Sequence, residues 1–179
     1  MKTKRRIALI FLSLSALAPL ACTAKSETSS FKSKTDLGGN SVKIRNIGTS
    51  LCLENFDYGG WNGKKIIQAG CKSNKTQKWQ LHFKADDNGV YVIRPEAGGD
   101  TVVDVIHENS KDSVQLWKYN EANRNQMWWI IESGIQKYTI RSVALPKKCL
   151  GFPKDITKDQ SQLELLDCNL SKGQIWTID

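Results

Sequence analysis

The sequence predicts an all-β domain made of three copies of one unit of about four strands each, closed as a threefold barrel. Three observations carry this. A Gln-x-Trp tripeptide is written three times, in TQKWQL at 76–81, NRNQMWWI at 123–130 and GQIWTI at 173–178. An Ile-Arg pair precedes each of them, in VKIRN at 42–46, YVIRP at 91–95 and YTIRS at 138–142, so that the frame residues Trp79, Trp128 and Trp176 stand 49 and 48 positions apart. Finally, the apolar runs are short and alternating and are separated by polar turns, with no sustained helical period.

The chain opens on MKTKRR and the apolar run IALIFLSLSALAPL, which is too short to span a bilayer and has the form of an export signal. Residues 1–22 are therefore expected to be a signal segment, and four of the positive charges behind the formal net of +8 leave with it. The remaining lysines are scattered without a dense basic block, which argues for a solvated surface and against a nucleic-acid partner. Two endings of the signal are open. APLACT is similar to a bacterial lipoprotein signal, with Pro19 departing from the usual aliphatic residue, and would make Cys22 the lipidated first residue of an outer-membrane lipoprotein. Alternatively, cleavage after Ala24 discards Cys22 and releases a secreted protein. Residues 23–40, TAKSETSSFKSKTDLGGN, lack periodic apolar positions and read as a flexible linker.

The domain is expected over 41–179, with repeats of about 41–83, 84–131 and 132–179. VKIRN opens the first repeat, the Gly-rich loop DYGGWNG interrupts it, and TQKWQL closes it. YVIRP opens the second; EAGGD and ENSKDS are its turns, and SVQLWKY and WWII its later strands. The third runs from YTIRS through ALPKK and QLELL to GQIWTI. Closure into a barrel also removes exposed sheet edges. Cys52 to Cys71 and Cys149 to Cys168 are equal steps in equivalent repeats, which predicts the same local disulfide made twice. Val102 and Tyr119 hold the matching places in the middle repeat.

Three Gln-x-Trp frames in register, an early Cys-Leu and a second cysteine 19 positions on resemble the ricin B-type lectin family over essentially the whole domain. The resemblance implies a β-trefoil of about twelve strands, a six-stranded barrel capped by three hairpins, with Trp79, Trp128 and Trp176 packed in its core. Gln77, Gln126 and Gln174 lie two positions earlier and need hydrogen-bond partners near that core.

In this family a sugar is held by an aspartate after the early Cys-Leu or its equivalent, by an aromatic in the next strand, and by an Asn or Gln beside the frame tryptophan. The chemistry suits a galactose-type ring, whose apolar C–H face stacks on an aromatic plane while its hydroxyls meet a carboxylate and an amide. The middle repeat carries the whole set: Asp104 in TVVDV, Gln115 and Trp117 in SVQLWKY, and Asn125 and Gln126 in NRNQMW, with His107 or Asn109 as a further contact from the loop. The first repeat has Glu54 at the acid position, but Ala69 for the platform and Thr76 for the asparagine. The third has Gly151 for the acid and Leu166 for the platform.

Strand alternation sends Trp129 to the face opposite Trp128, where it either meets a partner or is covered by its own chain. Trp61, in the glycine-flanked loop, poses the same choice. No Gly-x-Ser-x-Gly elbow, phosphate loop or metal-spaced His/Cys cluster is present, so neither catalysis nor a cofactor is expected. The expected partners are galactose- or N-acetylgalactosamine-type glycans, with a membrane held through Cys22 if it is lipidated. The layout is also similar to the binding subunits of cytolethal distending toxins, small exported trefoils that escort a catalytic subunit. That resemblance implies the alternative of a toxin subunit working through protein contact.

Overall fold

A computed structural model describes residues 37, 39–56, 61–84, 89–108, 111–153 and 159–179, with the side chains of 107, 108 and 111 left aside. The signal segment, Cys22, most of the linker and Asn109 lie outside the described residues.

Twelve strands follow one another in three sets of four. The first set is β1 (Ile44–Asn46), β2 (Cys52–Asn55), β3 (Ile66–Ala69) and β4 (Trp79–Lys84). The second is β5 (Val90–Pro95), β6 (Thr101–Glu108), β7 (Lys111–Lys118) and β8 (Trp128–Gly134). The third is β9 (Lys137–Ser142), β10 (Lys148–Gly151), β11 (Glu164–Asp167) and β12 (Trp176–Ile178).

The outer strands of each set form a closed ring. β1 pairs with β12, β12 with β9, β9 with β8, β8 with β5 and β5 with β4, and a bridge between Val42 and Trp79 returns the ring to its start. The inner strands of each set form a hairpin: β2 with β3, β6 with β7 and β10 with β11. The expected β-trefoil is the observed architecture. Closure matters physically because the chain has few residues to cover an edge, and a ring leaves no barrel edge to cover.

The repeated tripeptide is the internal scaffold. Trp79, Trp128 and Trp176 are fully buried, and their indole Nε1–H groups donate to Leu53 O at 3.0 Å, Val103 O at 3.0 Å and Leu150 O at 3.3 Å. Each tryptophan thus satisfies its one polar atom on the strand after the opening Ile-Arg strand of its own repeat, which is what allows so large a polar-tipped ring into the core. Leu53, Val103, Leu150, Leu81, Ile93, Leu116 and Ile140 pack in the same cluster.

A one-turn 3-10 segment precedes each frame tryptophan, at Lys75–Gln77, Arg124–Gln126 and Lys172–Gln174. The glutamines anchor these turns identically. Gln77 Oε1 accepts from Lys72 N at 2.6 Å, Gln126 Oε1 from Asn120 N at 2.8 Å and Gln174 Oε1 from Asn169 N at 2.9 Å. Their Nε2 groups donate to Gly70 O at 2.9 Å, Lys118 O at 2.9 Å and Asp167 O at 2.7 Å. Each amide ties the turn to the end of its hairpin.

Both expected disulfides are formed, Cys52–Cys71 and Cys149–Cys168, each across 19 residues. In the middle repeat, where Val102 and Tyr119 take these places, a noncovalent link occupies the neighbourhood. Arg94 lies 5.5 Å from the Tyr119 ring centroid and pairs with Asp100 at 2.9 Å, while Tyr119 N donates to Asp100 O at 2.9 Å. The pair is partly exposed, so its contribution is modest beside that of a crosslink.

Candidate functional site

The β6–β7 hairpin sorts its side chains by alternation. Val103, Val105, Val114 and Leu116 enter the core, which puts Asp104, Gln115 and Trp117 together on the opposite face. Asp104 stands directly across from Gln115, and Val102 across from Trp117. Register alone therefore assembles carboxylate, amide and ring.

Asp104 is only 4% exposed, whereas Trp117 is 42% exposed. Gln115 Nε2 donates to Asp104 Oδ2 at 3.1 Å, and Asn123 Nδ2 donates to Asp104 Oδ1 at 3.3 Å. Burial pushes the Asp104 carboxyl above the ordinary carboxylate range, against the side-chain hydrogen bonds from Gln115, Gln126 and Asn123, which pull it down. A carboxylate has about four lone-pair sites. Two amide donors fix its orientation and leave acceptor capacity for an incoming hydroxyl, beside a ring that is open to solvent.

The asparagine that donates to Asp104 is Asn123, a residue the sequence reading did not single out. Asn123 starts the 3-10 turn: its Oδ1 accepts from Asn125 N at 3.1 Å, which frees its Nδ2 to face Asp104. The signal was present in the sequence as an Asx residue two positions before another at a turn start, a capping pattern. Gln126 takes the fold-tying role expected of the frame glutamines. Its Oε1 accepts from Asn120 N and its Nε2 donates to Lys118 O. It ties the 3-10 turn to the end of β7. The backbone at His107 lies at the far end of β6, and its side chain is outside the described set.

The other two repeats lack this set of groups. In the first, Glu54 spends its longer arm on the frame glutamine, accepting from Gln77 Nε2 at 2.5 Å, and Ala69 gives no ring. In the third, a Cβ at Gly151 would lie 2.8 Å from Gln174 Cγ and 2.9 Å from Gly173 O, so no acid fits without a shift of the turn.

Trp129 faces away from Trp128 as alternation requires, but it is half-buried and packs on Val90, Met127 and Val143. Of the two choices open for Trp129, this packing favours partial cover by its own chain. Trp61 is 72% exposed. Among the described residues, no group of three His, Cys, Asp or Glu is arranged to hold a metal ion.

The model of the ricin-type β-trefoil lectin domain matches residues 40–176. The chain belongs to that family. Ricin-type domains are carbohydrate-binding modules, and a carbohydrate-binding role follows for this chain at that level. No curated protein matches it. Among solved structures, the designed threefold-symmetric protein ThreeFoil is 20% identical with a TM-score of 0.68, the match covering 77% of this chain and 96% of that one. The C-half of an earthworm R-type lectin, solved with GalNAc, is 17% identical with a TM-score of 0.62, covering 79% and 98%. A ricin B-like lectin of Macrolepiota procera, solved with lactose, is 18% identical with a TM-score of 0.63, covering 79% and 96%. At these identities the likeness is one of fold.

Proposed function

We propose that this ricin-type chain is a glycan-binding protein whose working site is the Asp104–Gln115–Trp117 face of the middle repeat, and that it takes galactose-type sugars. The supporting observation is the co-occurrence of a buried, amide-oriented carboxylate and an exposed indole on one hairpin face, in the one repeat that has both. Trp117 stacks on the apolar face of the ring, and Asp104 accepts from its hydroxyls. Relatives of the same fold solved with GalNAc and lactose support the choice of sugar class.

One shallow site binds weakly, and avidity then comes from presenting many copies. Export under the leader, with anchoring at Cys22 where it is lipidated, supplies such an array. The alternative is an escort subunit of a toxin, for which the exposed Trp61 is the supporting observation. A glycan array read with the wild-type chain and with Trp117→Ala decides between them. Binding to galactosides or N-acetylgalactosaminides that the variant loses is the expected result. An array silent for every galactoside would refute the lectin reading and move the escort role ahead.

A further inference from the structure

The loop joining β2 to β3 in the first repeat borders the Asp104 face of the second. Gly63 N donates to Leu116 O at 2.8 Å, Leu116 N to Lys64 O at 2.8 Å, and Lys118 N to Asn62 Oδ1 at 2.6 Å. The same clamp holds the first repeat's hairpin against the third repeat's loop. There Gln160 N donates to Gln68 O at 2.7 Å, Gln68 N to Ser161 O at 2.9 Å, and Gly70 N to Asp159 Oδ1 at 3.0 Å. In both, an Asx side chain is followed by a residue in the left-handed region, Gly63 at φ 80° and Gln160 at φ 66°. The clamp is thus a device of the fold and by itself implies no ligand.

What differs is the side chains set around it. In the middle repeat the residue before the Asx is Trp61, and the residue before the bonded N–H is Trp117. In the first repeat the residue before the bonded N–H is Ala69. One hydrogen bond, Lys118 to Asn62, therefore has an exposed tryptophan next to each of its partners, one 72% and the other 42% exposed. A Cβ at Gly63 would meet Gln115 Oε1 at 3.9 Å, which sets this loop beside the partner of Asp104.

We propose that Trp61 is a second stacking platform, lent across the repeat boundary, so that the site takes a galactose-terminated disaccharide or longer chain with its terminal sugar at Trp117 and the next at Trp61. This rests on the galactose reading of the middle repeat and extends it. The clamp bonds hold the backbone at 62–64, directly after Trp61, before any ligand arrives, so stacking there carries less of the cost of ordering the chain. A sugar occupant is favoured over a protein one because Asn62, next to Trp61, is bonded to the hairpin that carries an oriented carboxylate and amides, the groups a glycan's hydroxyls need.

The test is calorimetric titration of the full chain with methyl β-galactoside and with galactose-terminated disaccharides in several linkages. At least one disaccharide is expected to bind more tightly than the monosaccharide. Trp61→Ala should cut that disaccharide-to-monosaccharide affinity ratio by about three- to tenfold, the scale of one aromatic stacking contact, and Trp61→Phe should restore most of it. Melting curves check that both variants fold. A ratio unchanged in Trp61→Ala, with monosaccharide binding intact, overturns the second platform alone; so does a proportional loss for both ligands. A wild-type chain that binds no galactoside removes the parent reading, and this extension with it.

Discussion

Asp104→Asn separates charge from shape at the centre of the site. Asp104 is nearly inaccessible and accepts from Gln115 and Asn123, so the substitution keeps its volume while removing the anion. A hydrogen bond from a sugar hydroxyl to a carboxylate contributes about 1.5–3 kcal/mol, which converts to about a 10- to 150-fold loss in affinity. The effect on folding has a different sign. Because burial raises the Asp104 pKa in the folded state, the native chain holds this proton over a pH range in which the unfolded chain has released it. Its contribution to stability therefore falls as pH rises from the ordinary carboxylate value through the raised one, and is largest below both. Asparagine removes that dependence. One of its amide hydrogens then faces a donor, which Gln115, only half-buried, can relieve by turning its own oxygen inward. Wild-type binding should weaken as pH falls through the raised pKa, since a protonated carboxyl loses acceptor capacity. Titration calorimetry with a galactoside and melting temperatures, both measured from acid to neutral pH, give the two readouts. An Asp104→Asn chain that binds as tightly as wild type refutes the assignment of Asp104 to the sugar.

Three further outcomes are expected. Glu54→Ala should leave galactoside binding unchanged but cost about 1 kcal/mol in urea unfolding, since it removes one partner of the buried Gln77 while the bond to Gly70 O survives; a stability equal to wild type would mean the Glu54 contact is idle. Trp129→Thr should lower stability by about 1–2 kcal/mol through lost packing on Val90, Met127 and Val143, and an unchanged melting temperature would return Trp129 to the list of contact residues. Replacing Cys149 and Cys168 with serine opens a crosslink across 19 residues and should cost about 3 kcal/mol on the chain-entropy account, with no loss measured by denaturation speaking against it.

The sequence by itself determined what is written along the chain as spacing and alternation. Three Gln-x-Trp frames marked the threefold unit, equal cysteine steps the two crosslinks, and the resemblance to the ricin B-type family the core tryptophans and the set of Asp104, Gln115 and Trp117, which hairpin register puts on one face. These are local facts: a strand's period and a hairpin's register depend on residues near in sequence. The tertiary structure decided where the amides point. Asn123 rather than Asn125 reaches Asp104, and Gln126 turns its amide inward to Lys118 and Asn120, because an amide offers two donors and an acceptor to whatever backbone closure brings near. It also decided that Gly151 leaves no room for an acid and that Val90, Met127 and Val143 cover Trp129. Asn62 holds Trp61 beside the middle repeat from another repeat altogether. Lys118 stands 56 residues beyond Asn62 in the chain, and only the closed ring of strands, which packs each hairpin against its neighbour's loop, brings the two together.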